Sequence, residues 1–146
     1  MIKGKPPRLH RIFSDGPLYS VTFCTLYRRS LLANDRIHLA FQSYCGRAAA
    51  DHNVAVGRYV IMPDHVHLFL RGGDDFKLGI WVRGLKRAVS RQRDFWQPGF
   101  FDHILRSDES YGLKWQYVRD NPVRAGLVSR AAEWIFQGEI VTIDRA

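Results

Sequence analysis

The stretch from Arg58 to Leu70, RYVIMPDHVHLFL, restricts what this chain can fold into more than any other. Two apolar runs flank Met62-Pro63-Asp64, where proline presets φ and aspartate tolerates a tight corner, so the segment reads as a hairpin. Side chains alternate along a strand, which puts His65, His67 and Phe69 on one face and Val66, Leu68 and Leu70 on the other. The second face is a core face. The first sets two imidazoles side by side on rigid backbone, close enough to grip one metal ion. An isolated His-x-His is more often a pair of solvent-side residues, so a second constellation is needed to favour chemistry.

A hairpin needs further elements to bury its apolar face. Pro17 to Leu26 alternates Tyr19, Val21 and Phe23 against Ser20, Thr22 and Cys24 and reads as a first strand. Asn34 caps a helix running to about Asp51, with Ile37, Ala40, Phe41, Tyr44 and Ala48 at helical spacing. After the hairpin, Gly72-Gly73-Asp74-Asp75 breaks the strand and favours a helix from Phe76 to about Asp94. Leu78, Trp81, Val82, Leu85 and Val89 form its core stripe. Arg83, Lys86, Arg87, Ser90 and Arg91 form a second stripe with no acidic partner one turn away, which favours a phosphate-tracking surface over a merely solvated face. Phe100 to Leu105 is a fourth strand, and Ser107-Asp108-Glu109 opens a last helix that Pro122 ends near Asp120. The order β-α-β-β-α-β plus a C-terminal helix predicts an α+β fold, a ferredoxin-like sandwich. Residues 129–146 form a tail with a short helix around Ala131 to Phe136 and an apolar segment, GEIVTI, to which the sequence assigns no role.

With 146 residues the chain reads as a single domain, 1–146, large enough for a core without staples. Apolar residues make up 46% and charged residues 25%, the balance of a globular chain, and no apolar run reaches the length of a membrane span. The basic N-terminus has no apolar stretch of the kind a secretory signal requires. Cys24 and Cys45 stand far apart and read as buried, reduced thiols, the usage of a cytoplasmic protein. Lysine and arginine number 22 against 14 acidic residues, giving +8 and a pI near 9.9, which favours a polyanionic partner with nucleic acid first. A basic arm over residues 1–16 carries Lys3, Lys5, Arg8 and Arg11, placed to lie along phosphates or to remain a solvated terminus.

The second constellation lies near the C-terminus. In SYGLKWQYVRDNPVRAGLV, Leu113, Tyr117 and Asn121 recur every four residues and project from one side of a helix. A tyrosine hydroxyl is a poor nucleophile at its ordinary pKa near 10. It gains use where a cation neutralises charge at the phosphorus it attacks. A metal at His65 and His67 would do this, with the Asn121 amide oxygen as a neutral third ligand. Imidazole and oxygen together do not choose among Mg, Mn and Zn.

The two segments YVIMPDHVHLFL and YVRDNPVRAGLV, in that order, resemble the single-tyrosine HUH transposases, most of all the REP-associated tyrosine transposases. The similarity runs from about Tyr19 to about Val128. It implies a ferredoxin-like core and a nuclease and strand transferase dependent on a divalent metal, Mg or Mn. The implied substrate is single-stranded DNA beside a hairpin. His65 and His67 match the metal-binding pair, Tyr117 the nucleophile that becomes linked to a 5′ phosphate, and Asn121 the polar residue that completes the metal site. Relatives include dimers and monomers, so the resemblance fixes neither state. The family's Trp-Pro-Tyr-Ser-Ser-like segment is absent, and Trp134-Ile135-Phe136 stands in that region. Two rival readings are a non-catalytic single-stranded nucleic-acid-binding module on the same fold, and a zinc hydrolase built on the two histidines. The first lacks an RNP-like aromatic pattern on its strands, the second a third strong ligand.

Overall fold

The computed structural model describes residues 16–106 and 110–143. Lys3, Lys5, Arg8 and Arg11 of the basic arm, and Ser107-Asp108-Glu109, lie outside the described residues. Five strands form one antiparallel sheet in the order β4-β1-β3-β2-β5: β1 (Leu18–Cys24), β2 (Val54–Ile61), β3 (His65–Gly72), β4 (Phe101–Leu105) and β5 (Gln137–Glu139). Helix α1 (Asp35–His52) joins β1 to β2, and α2 (Leu78–Val89) joins β3 to β4. The first four strands thus have the arrangement expected of a ferredoxin-like α+β fold, and α3 (Tyr111–Arg119) follows as the C-terminal helix.

Local chemistry accounts for the element ends. The Asn34 side chain accepts from the Ile37 amide, satisfying one of the first-turn donors of α1. Asn53 closes the same helix in the left-handed region, which asparagine tolerates. The Met62 amide donates to the His65 carbonyl at 2.8 Å, making the tight corner between β2 and β3. Helix α2 is shorter than its sequence pattern suggests. It starts at Leu78 and stops at Val89, because Ser90 turns extended; the Lys86 carbonyl accepts from both the Ser90 amide and the Trp96 indole. Arg91 therefore lies past the helix, off the basic stripe. Nor does Pro122 end helical structure. Helix α3 stops at Arg119, and proline opens a separate one-turn helix α4 (Asn121–Arg124), where its missing N–H costs nothing.

Each sheet face packs its own core. Val21, Phe23, Leu68 and Leu70 face α1 and α2, whose stripes bury Ile37, Phe41, Trp81 and Leu85. On the other face Leu18, Val60, Phe69 and Leu105 pack against Tyr111 and Trp115 of α3. A register irregularity in β2 between Val56 and Tyr59 frees the Arg58 amide, which donates to the Tyr111 hydroxyl at 2.9 Å. The tail completes this second core: β5 pairs with β2, and Val141 and Ile143 are buried beside Ala55 and Met62. Among the described residues no helix is long and apolar enough to cross a membrane.

Candidate functional site

His65 and His67 share a face at the start of β3, with ring centroids 4.7 Å apart and planes nearly perpendicular. Each has its Nδ1 engaged. The Asp64 carboxylate lies 2.7 Å from His65 Nδ1, and since a carboxylate only accepts, that nitrogen carries the hydrogen and leaves the Nε2 lone pair free. Asp64 is held in turn by Arg28 Nε at 3.0 Å. His67 Nδ1 lies 2.6 Å from the hydroxyl of Thr22, its cross-strand partner on β1. The tautomer in which His67 donates to Thr22 frees its Nε2 as well. This is the support that metal-ligating histidines take from neighbouring oxygens.

Both imidazoles are held neutral. Burial is the main cause, and it lowers the pKa of His65 despite Asp64 beside it. His67 falls to about 4, through burial first and then through the like charge of His65, Arg124 and Arg28. Neutral rings with free lone pairs are the form a metal ion binds. Two neutral imidazoles side by side fit a divalent ion that keeps open positions. Among the described residues no group of three His, Cys, Asp or Glu side chains is placed to hold a metal, and the Asn121 amide oxygen accepts from Arg124.

Arg28 reaches Asp64 from a strained turn. Tyr27 and Arg28 follow β1 with φ of 59° and 54°, a backbone region that costs non-glycine residues about 1–2 kcal/mol each. Thr25 anchors the turn, its amide donating to the Asp64 carbonyl at 3.0 Å and its hydroxyl to the Arg29 carbonyl at 2.7 Å. Strain of this kind gathers where a side chain must be aimed.

Tyr117 stands on the outward side of α3 and is 69% exposed, while Tyr111 and Trp115 take the sheet-facing side. It shares a surface hollow with Ser110, Leu113 and Lys114. Arg124 connects it to Asn121. Its guanidinium lies 4.1 Å from the Tyr117 ring centroid, donates to the Tyr117 carbonyl at 2.8 Å and to Asn121 Oδ1 at 2.7 Å, and acts electrostatically on His67. Arg124 thus ties Tyr117 to Asn121 at the end of α3, while His65 and His67 stand together on β3. Tyr111 is no alternative nucleophile, since burial raises its pKa and its hydroxyl is taken by Arg58.

The basic stripe divides in two. Arg83 and Arg87 are exposed on α2 and line a groove with Tyr44, Phe76 and Trp81. Lys86 is tethered instead, donating to the carbonyls of Gln97 and Gly99 at 2.9 and 2.6 Å and lying 5.9 Å from the Phe23 ring centroid. It is a structural cation. The sequence pattern does not single out Thr22, Arg28 or Arg124, and gives Asp64 only a turn role. A cross-strand register and a left-handed turn bring the first two to the site. Arg124 alone had a signal, one turn beyond Asn121.

The chain is similar to known proteins in sequence and in fold. Residues 16–121 match the family model described as IS200-like transposase. A REP-associated tyrosine transposase of Escherichia coli K12 is 26% identical over 131 residues, covering 86% of this chain and 78% of the relative. A REP-associated tyrosine transposase solved bound to a REP hairpin has the same fold, with a TM-score of 0.72 at 23% identity, covering 89% of this chain and 81% of that one.

Proposed function

The chain belongs to the IS200-like transposase family, and on that premise we propose that it cleaves and rejoins single-stranded DNA beside a hairpin. Tyr117 is the nucleophile. Its phenolic oxygen attacks the scissile phosphorus and loses its proton to solvent. The bond to O3′ breaks as that oxygen takes up a proton, leaving a 5′-phosphotyrosine and a free 3′ hydroxyl. Since the phosphoester is kept, a 3′ hydroxyl can reverse the step without a nucleotide cofactor.

His65, His67 and Asn121 would hold a divalent ion, Mg or Mn, which when bound supplies positive charge at the scissile phosphate. Asp64 and Thr22 orient the two rings, and Arg124 has to yield the Asn121 oxygen for that ligand to serve. Arg28 and Arg124 add fixed positive charge where negative charge collects. Arg83 and Arg87 track the incoming strand's phosphates, and the basic arm with Lys3, Lys5, Arg8 and Arg11 adds to them. A tyrosine on the outer side of its helix is compatible with a monomer and with a dimer.

The observation that carries this reading is the pair of neutral histidines on β3, each with its Nδ1 held by a neighbouring oxygen, in a chain that also presents an exposed Tyr117 stacked on Arg124. Incubation with a labelled single-stranded hairpin library plus Mg or Mn tests it, with a covalent protein–DNA adduct on denaturing gels as the expected result. Binding that survives EDTA with no adduct under any condition would support the non-catalytic module instead.

A further inference from the structure

Only part of the face that carries the histidines is covered. At the far ends of β1 and β4, Leu18 and Leu105 lie in the core beneath Tyr111 and Trp115. Among the described residues the near ends are open. There the register aligns Phe101 of β4 with Thr22 of β1, and Thr22 with His67 of β3, so the three side chains share one face in a single cross-strand row. Phe101 is thus two strand spacings, about 10 Å, from the backbone of His67. Its side chain is 64% exposed on the sheet's edge strand.

A single exposed phenylalanine is common on protein surfaces. Its surroundings distinguish this one. A cavity of about 460 Å³, lined by Lys77, Ile80, Arg83, Lys86, Gly99 and Phe100, brings the cationic side of α2 to the residue just before Phe101. A cationic groove on one side and two supported histidines on the other, with an open aromatic ring between, match how unpaired nucleic acid is held, by phosphate contacts interleaved with base stacking.

We infer that Phe101 is the stacking platform for the unpaired base next to the scissile phosphate, and that the strand reaches the histidines over the β4 edge from Arg83. The inference rests on the proposed single-strand reading. It adds a base-holding subsite that takes any base by its π face and requires that nucleotide to be unpaired.

The test combines Phe101→Ala and Phe101→Trp with oligonucleotides carrying one abasic position, scanned along the strand, and reads binding and adduct formation separately. Phe101→Ala should weaken binding about 5- to 150-fold, the effect of removing one base–aromatic stack, and Phe101→Trp should restore it. One abasic position should weaken the wild type equally and leave Phe101→Ala unchanged, showing that ring and base form one contact. Wild-type affinity for Phe101→Ala, failure of the tryptophan to rescue, or independent multiplication of the two effects would overturn the platform. A coupled ring and base without any adduct would leave the platform standing and fail only the nucleophile.

Discussion

Tyr117→Phe removes one oxygen from a largely exposed ring that stacks on Arg124, so the variant should fold and bind single-stranded DNA as the wild type does. It should form no adduct and leave no free 3′ hydroxyl; wild-type adduct levels on denaturing gels would sink the nucleophile assignment. The histidines give a second prediction with a definite sign. His67 is held neutral down to about 4 in the folded chain, against an ordinary value near 6.5. Between those values the unfolded chain binds the extra proton, so this part of the stability is complete above pH 6.5 and is lost as pH falls through about 4. The loss is on the order of 3 kcal/mol over that window. Melting of metal-free protein should fall more steeply between pH 6.5 and 4 in the wild type than in His67→Gln; parallel curves would refute it. Part of this was readable in the sequence: alternation placed both histidines on one face, whereas the single helix expected to carry Tyr117 and Asn121 breaks after Arg119, and Arg124 is what links the two. Thr22 and Arg28 were not readable, because a strand register and a left-handed turn depend on pairings tens of residues apart.

Helix α2 shows where a pattern is read correctly and its meaning is not. Its apolar stripe packs as the spacing implies, but the cations beside it have different work. Lys86 holds the loop before β4 through two carbonyls, and burial lowers its pKa, so Lys86→Ala should destabilise the chain by about 1–3 kcal/mol in denaturant titration. Charge reversal of exposed Arg83 and Arg87 should leave stability nearly unchanged. It should instead flatten the salt dependence of single-strand binding, by roughly 0.7 in log–log slope for each phosphate no longer neutralised. A salt slope that does not move would mean these arginines are only solvated. Periodicity identifies a helix face; it does not distinguish an arginine open to phosphate from a lysine bound to a loop.

At the scale of the whole molecule, the tail that the sequence left without a role closes the core on which the site depends. Strand β5 covers the edge of β2, the Trp134 indole donates to the Ile61 carbonyl at 3.0 Å, and Val141 and Ile143 pack into the core that seats α3. Its composition gave no warning, because GEIVTI could equally be a core strand or a loose apolar end. Pairing with β2, far back along the chain, decides the matter, and no local pattern carries that information. Val141→Ala with Ile143→Ala should remove on the order of 3–6 kcal/mol, a large share of the roughly 5–15 kcal/mol that holds a domain of this size. Because α3 docks on the same core through Tyr111 and Trp115, the damage should centre on the tyrosine helix. Arg83 and Arg87 project from α2 on the opposite sheet face, whose core is separate. The double variant should therefore melt at least about 8 °C lower, and hydrogen exchange should show α3 opening before α2. Near its midpoint it should lose adduct formation while keeping part of its single-strand binding. Parallel loss of adduct and binding, or equal exchange in both helices, would show that the two cores unfold as one and that the tail supports the fold without any particular link to Tyr117.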